Sequence, residues 1–281
     1  MTLIQILILA VIQGTAELLP VSSSAHVIMA EKFMGLDPTS PEMTLLLVML
    51  HTGTMFSTLV YFWSSWKKTY FSSMAQCRLN GRFLITATVC TGIVGLALLF
   101  IIKHIVFRHS PDFEIENLFG IAWLMALALA MGGLLIVASS RIKEQSNGQL
   151  SVSKSMIIGA VQGLCLPFRG FSRSGATIST ALVLGVARRR AEEFSFALAV
   201  VITPAIIIKE ALRAYKAQAA AAMSHRDMLM HLALPSLFGM ALSFVAGLIA
   251  LRWLSRWLEH DRWHLFGAYC LVAAAVVYWV G

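Results

Sequence analysis

The chain is short of charge. Asp, Glu, Lys and Arg make up 13% of its 281 residues, about half of the roughly 25% usual in a soluble domain. That shortfall argues against a cytosolic globular protein. Its four cysteines, Cys77, Cys90, Cys165 and Cys270, lie far apart and form no CxxC pair, so neither a disulfide scaffold nor a zinc site is indicated. Nor is it polar enough for disorder, because 58% of its residues are apolar and offer ample material for burial. The net charge of +8 would suggest nucleic acid in a soluble protein. Here the basic residues sit in short gaps between long apolar runs, the pattern of membrane loops, and no nucleic-acid partner is expected.

A bilayer core about 30 Å thick takes roughly 20 apolar residues of helix. Residues 43–63, 83–102, 117–140, 228–251 and 263–281 meet that requirement. Residues 194–208 form a shorter run that its flanks extend to Arg213, giving six expected spans. Two further apolar regions are interrupted. Gly14, Pro20 and three serines break residues 1–30, and Gly163, Pro167 and Gly170 break residues 155–187. Each half is too short to cross alone. Short broken segments in corresponding positions of two halves point to re-entrant helices and a binding site.

The two regions also resemble each other. Ile12-Gln13-Gly14 with Val21-Ser22-Ser23-Ser24-Ala25 parallels Val161-Gln162-Gly163 with Phe171-Ser172-Arg173-Ser174-Gly175. Three spans follow each, and an odd number of crossings per half inverts one half relative to the other. The expected fold is an all-α integral membrane protein of six transmembrane helices and two re-entrant helix hairpins. It forms a single membrane domain of two inverted repeats, about residues 1–140 and 150–281. With the N-terminus outside, thirteen Lys and Arg fall inside, among them Lys67, Lys68, Arg188, Arg189 and Arg190, against seven outside. That bias places both termini outside. The first residues lack the basic region and cleavage site of a signal peptide.

Ionisable groups inside membrane segments cost several kcal/mol and mark function by default. Glu17, Arg169 and Arg173 fit that description, and His26 joins them as a titratable group. Arg holds phosphate through paired hydrogen bonds. The Ser172-Arg173-Ser174 turn opens a helical run whose backbone N–H groups suit an anion, as do Ser22, Ser23 and Ser24 before the first such run. Each serine equally fits an ordinary N-cap. Glu17 fits a metal ligand or a general base, and its apolar neighbours Ala16, Leu18 and Leu19 oppose a plain loop position. Gln13 lies four residues earlier, on the same helical face. His26 fits a general acid/base, a nucleophile or a structural group. Arg169 fits an anion contact or a side chain snorkelling to the surface. His51, in a span beside Thr52 and Gly53, reads first as structural, and Arg188 to Arg190 as an inside-facing basic flank.

The stretch from Gln13 through Glu17-Leu18-Leu19-Pro20-Val21-Ser22-Ser23 to His26 resembles the first motif of the bacitracin-resistance type of undecaprenyl-diphosphate phosphatases. Gly170-Phe171-Ser172-Arg173-Ser174-Gly175-Ala176-Thr177 resembles the second, and Glu193-Phe194-Ser195-Phe196 also looks like that family. The likeness covers nearly the whole chain. It implies hydrolysis of the terminal phosphate of a C55 polyprenyl diphosphate. The product is the monophosphate carrier for peptidoglycan and other envelope glycans. It further implies a bacterial inner-membrane enzyme whose site faces the periplasm, assisted by Mg²⁺ or Ca²⁺. Undecaprenyl diphosphate and membrane lipid are the implied partners, and a homodimer stays open.

On that resemblance Glu17, Ser23, His26 and Arg173 are the expected catalytic residues. Ser23 would be the nucleophile and His26 its proton partner. Gln13, Ser22, Ser24, Arg169, Ser172, Ser174 and Thr177 would bind substrate, and Glu17 and Gln13 a metal ion. Two departures stand out. Gln13 occupies a position where many members carry Glu, leaving one carboxylate, and Pro167-Phe168-Arg169-Gly170 replaces a Pro-Gly pair. A polyprenyl-phosphate flippase is the alternative reading, since broken helices in inverted repeats are also a transporter design.

Overall fold

The computed structural model describes residues 1–37, 40–106, 121–143, 145, 147–168, 170–220 and 233–280. Among the described residues the protein is helical and has no strand. The helices are α1 (Leu3–Ala16), α2 (Ser23–Phe33), α3 (Pro41–Tyr70), α4 (Met74–Ile101), α5 (Ala122–Ser140), α6 (Val152–Leu164), α7 (Arg173–Val183), α8 (Arg188–Ala220), α9 (Leu234–Glu259) and α10 (Trp263–Val280). The expected spans at 117–140 and 228–251 lie partly outside the described residues.

Five helices are long and apolar enough to cross a membrane, Met43–Tyr70, Met74–His104, Ala122–Ser140, Leu234–Glu259 and Trp263–Val280, which makes this a multi-pass membrane protein. The sixth expected span falls within α8, a continuous helix with Pro204 inside it. Both interrupted regions are broken where the sequence puts Gly, Pro and Ser. α1 has 14 residues and α2 has 11; α6 has 13 and α7 has 11. At about 1.5 Å per residue none of the four reaches the roughly 30 Å of a bilayer core. Serine and threonine start several helices. Thr2 forms a capping box with Gln5, and Ser73, Ser151 and Ser172 cap α4, α6 and α7, each meeting an orphan N–H.

The chain divides into two compact units. The first holds Met1–Leu18, Ser23–Phe62 and Ala199–Leu254, and the second Leu19–Ser22, Trp63–Leu198 and Ser255–Gly281. This division cuts across the expected repeats, because each unit draws helices from both halves of the sequence.

In the first unit Ile6, Leu9 and Ala10 of α1 pack with Val27 of α2 and with Met43, Leu46 and Leu50 of α3. α9 closes on this core through small residues. A Cβ on Gly14 would lie 2.7 Å from the Ser243 carbonyl oxygen, and one on Gly53 2.4 Å from that of Met240. Such close backbone approach is how membrane helices gain packing without a hydrophobic drive. Ser57 Oγ donates to the Phe244 carbonyl (2.7 Å) and Ser243 Oγ to that of Leu50 (2.6 Å).

In the second unit α4 shows the same logic on its two faces. Phe83, Ala87, Thr91 and Gly95 are buried, and Gly159 and Gly163 of α6 sit against Ala87 and Thr91. Ile85, Val89, Ile93, Leu96 and Phe100 are exposed on the other face, an apolar stripe at helical spacing that suits lipid. α5 and α10 meet through Gly133 and Gly267. Trp263 Nε1 donates to Ser139 Oγ (3.1 Å) and Ser179 Oγ (3.2 Å).

The start of α8 adds partners to the basic flank Arg188 to Arg190. The Arg189 side chain is 74% exposed, but that of Arg190 only 18% and that of Arg188 only 13%. Arg188 pairs with Asp261, and Arg190 binds the Asn80 side chain and lies over the Tyr70 ring. Glu193 is the buried hub, accepting from Ser65, Thr69 and Arg189. A run of three arginines shows its charge, not the acceptors that distant helices bring to it. Glu192, just ahead of the apolar run that begins at Phe194, is also buried and accepts from Ser255. Burial pushes its carboxyl up to about 8, against the lowering effect of the Ser255 hydrogen bond.

Candidate active site

The first break, in the first unit, gathers around one oxygen atom. Glu17 is the C-cap of α1. A carboxylate there faces the negative end of the helix dipole, which costs about 0.3–1 kcal/mol at exposed sites. Donors offset that cost. Ser23 Oγ, at the first residue of α2, donates to Glu17 Oε2 at 2.5 Å. Gln13 Nε2 lies 3.4 Å from the same oxygen. His51 Nδ1, from α3, lies 3.8 Å from it and 3.0 Å from Gln13 Nε2. Gln13 is buried, whereas the Glu17 and His51 side chains are 20% and 31% exposed, so the cluster opens to its surroundings on one side.

The helical spacing of Gln13 and Glu17 thus produces the shared face the sequence implied, and the turn between α1 and α2 folds Ser23 back onto Glu17. Ser24 and His26 follow in the first turns of α2, both half-buried. Ser23 and His26 are three apart, which puts them on one helical face. Ser22 is buried with φ of 67°. A serine in the left-handed region is strained, and such strain clusters at functional turns.

The second break, in the second unit, presents hydroxyls and a guanidinium. Ser172 caps α7 by accepting from the Gly175 N–H at 3.3 Å. Arg173, the first helical residue, is half-buried. Ser174 Oγ donates to the Leu19 carbonyl (3.3 Å). Thr177 Oγ1 donates to the Arg173 carbonyl (2.8 Å) and lies 2.6 Å from Ser195 Oγ. The predicted binding hydroxyls Ser172, Ser174 and Thr177 are all buried, and each holds the start of α7 together. Gly170 has φ of 107°, and a Cβ there would sit 2.5 Å from the Met125 carbonyl oxygen, so only glycine serves. Arg169 lies outside the described residues.

Two residues join these clusters without having been expected to. His51 stood only as a histidine in an apolar span, and Ser195 only as part of a family-like tetrapeptide. A polar residue within a hydrophobic run is the one signal the sequence carried for either. Among the described residues no three His, Cys, Asp or Glu side chains group to hold a metal ion. The first break offers one carboxylate, and Gln13 turns its NH₂ rather than its oxygen toward it.

A family model described as bacitracin resistance protein BacA matches residues 6–276. Undecaprenyl-diphosphatase 2 of Acinetobacter baylyi is 59% identical over 277 residues, which cover 99% of this chain and 97% of that protein. Undecaprenyl-diphosphatase of Gluconacetobacter diazotrophicus is 33% identical over 299 residues, 100% of this chain and 97% of its own. That of Rhodopirellula baltica is 30% identical over 277 residues, with 98% and 96% covered.

Proposed function

The chain belongs to the bacitracin resistance protein BacA family, and from that membership and its own first break we infer that it hydrolyses undecaprenyl diphosphate to undecaprenyl phosphate and inorganic phosphate. Recycling of that lipid carrier feeds peptidoglycan and envelope glycan synthesis and fits the resistance in the family's name. The observation that carries the chemistry is the 2.5 Å hydrogen bond from Ser23 to Glu17. A serine needs an adjacent base to become a nucleophile, and here a carboxylate oxygen already accepts its hydrogen bond.

In this reading Ser23 Oγ attacks the terminal phosphorus while Glu17 Oε2 takes its proton. The bond to the bridging oxygen breaks and the lipid monophosphate leaves. Water then releases phosphate from Ser23. His26, on the Ser23 face of α2, supplies the leaving oxygen with a proton. Arg173 and the N-terminal N–H groups of α7 and α2 hold the diphosphate oxygens, as phosphoryl transfer relies on positioning and charge stabilisation. The turn Leu19–Ser22, which joins Glu17 to Ser23 along the chain, hydrogen-bonds through Leu19 to Ser174. A divalent cation fits as a companion of the substrate, since Mg²⁺ is commonly held by one or two carboxylates plus phosphate oxygens and water. Glu17 would hold it, and it would neutralise charge on the diphosphate; the Gln13 carboxamide, with its NH₂ toward Glu17, does not fit as a second ligand.

The topology completes the proposal: six spans with α8 supplying the sixth, α1–α2 and α6–α7 as re-entrant hairpins, both termini outside, and a site open to the periplasm. Matching contacts support the repeat. Gly14 of α1 packs on Ser243 and Ala246, and Gly163 of α6 on Thr91 and Val94. Purified protein in detergent tests the activity. Phosphate release from the C55 diphosphate without a second compartment is expected, and its absence in folded protein favours a flippase. Shorter prenyl diphosphates in the same assay give the chain-length preference.

A further inference from the structure

His51 lies on α3, thirty-eight positions from Gln13 in sequence, and meets it through Nδ1 at 3.0 Å. The Gln13 amide, with its nitrogen toward His51, assigns the roles in that contact. Its Nε2 carries two hydrogens and no lone pair to accept with, so Nδ1 must accept and His51 carries its hydrogen on Nε2. The same Nε2 of Gln13 faces Glu17 Oε2 at 3.4 Å. Rotating the amide would turn its oxygen toward the Glu17 carboxylate, a repulsive contact in place of an attractive one. The longer distance from His51 Nδ1 to Glu17 Oε2, 3.8 Å, fits a ring that acts on Glu17 through the amide.

We propose that His51 is a positioning residue for the phosphatase reaction: by accepting at Nδ1 it fixes the Gln13 amide with its NH₂ toward Glu17 and keeps Glu17 Oε2 oriented to receive the Ser23 proton. This rests on the reading of Glu17 and Ser23 as the reacting pair. Gln13 and His51 therefore work as a matched donor and acceptor.

Phosphate release by purified variants tests it. His51→Leu lowers kcat about 10²-fold, the scale of a misplaced reacting group, with little change in KM. His51→Asn, whose oxygen overlays Nδ1, recovers most of that loss, while His51→Gln, whose amide overlays Nε2, recovers little. If His51→Leu fails to fold, the Asn and Gln pair decides alone. Equal recovery by both, or full kcat in His51→Leu, overturns the proposal. ¹⁵N NMR of the folded protein, with His51 assigned by its loss in His51→Asn, is expected to show an unprotonated Nδ1; a protonated Nδ1 overturns it. Glu17→Gln and Ser23→Ala run in parallel. Normal turnover in those two refutes the reacting pair itself, and their inactivity beside a normal His51→Leu refutes only the role of His51.

Discussion

The two breaks share a plan and differ in what they do with it. Each has a Gln-Gly pair near the end of a short helix and a serine turn opening the next. In the first, Gln13 turns its amide to Glu17 and His51. In the second, Gln162 donates to Thr91 Oγ1 at 3.1 Å, and its Oε1 is buried with no hydrogen-bond partner. Four residues after Gln13 stands Glu17; four residues after Gln162 stands Leu166, 42% exposed. Thr91 is already anchored to the Ala87 and Gly159 carbonyls. One glutamine thus orients a carboxylate, and its counterpart ties α6 to α4. The first break groups a carboxylate with a serine, an amide and an imidazole, and the second keeps a cation at a helix start.

The largest effects should come from the groups unique to each break. Arg173→Ala leaves developing phosphate charge uncompensated, and losses of about 10²–10³ in kcat are expected for such groups. Near-normal phosphate release would remove Arg173 from the reaction. Glu17→Gln keeps the shape but removes the base, and a similar loss is expected, together with changed dependence on divalent cations. Ser23→Ala sharpens the choice of nucleophile: loss of turnover with a phosphoserine trapped in the parent protein is expected, whereas full activity would point to direct attack by water.

A smaller and more diagnostic contrast lies in the glutamines. Gln13→Leu should cost most of kcat. Gln162→Leu should leave phosphate release unchanged and thermal stability equal or slightly higher, because an unsatisfied buried acceptor costs about 1–3 kcal/mol. Equal effects in both would erase the distinction between the breaks. The smallest expected effect concerns Glu192. Its carboxyl stays protonated in the folded protein up to about 8 but ionises from 4.5 once unfolded. Between those values the unfolded chain binds fewer protons, so stability falls as pH rises. Thermal unfolding in detergent should show that decline in the parent protein and a flatter profile in Glu192→Gln.

Much of this was legible in the sequence because the lipid imposes simple rules. Pro20, Gly163 and Pro167 interrupt runs that would otherwise span, and the helices end there. Glu17 and Arg173 are too costly in apolar segments to be incidental, and both sit at helix ends facing their breaks. What hydropathy does not encode is which side of a span meets a neighbour. Thr91, Ser57 and Ser243 look like diluents of apolar runs, yet each bonds a carbonyl of another helix. The partner of His51 was invisible for the same reason, since it lies thirty-eight residues away. The burial of Arg188 and Arg190 depends on Asp261, Asn80 and Tyr70, which local sequence does not join to them.

Phosphate release from undecaprenyl diphosphate by Glu17→Gln, Arg173→Ala and the double variant, each verified as folded, is the decisive measurement. If the two residues serve one reaction, the double variant is about as slow as the slower single one, because groups that act as a unit are not additive. Losses that simply multiply, or a single variant that turns over normally, would contradict a shared reaction centre.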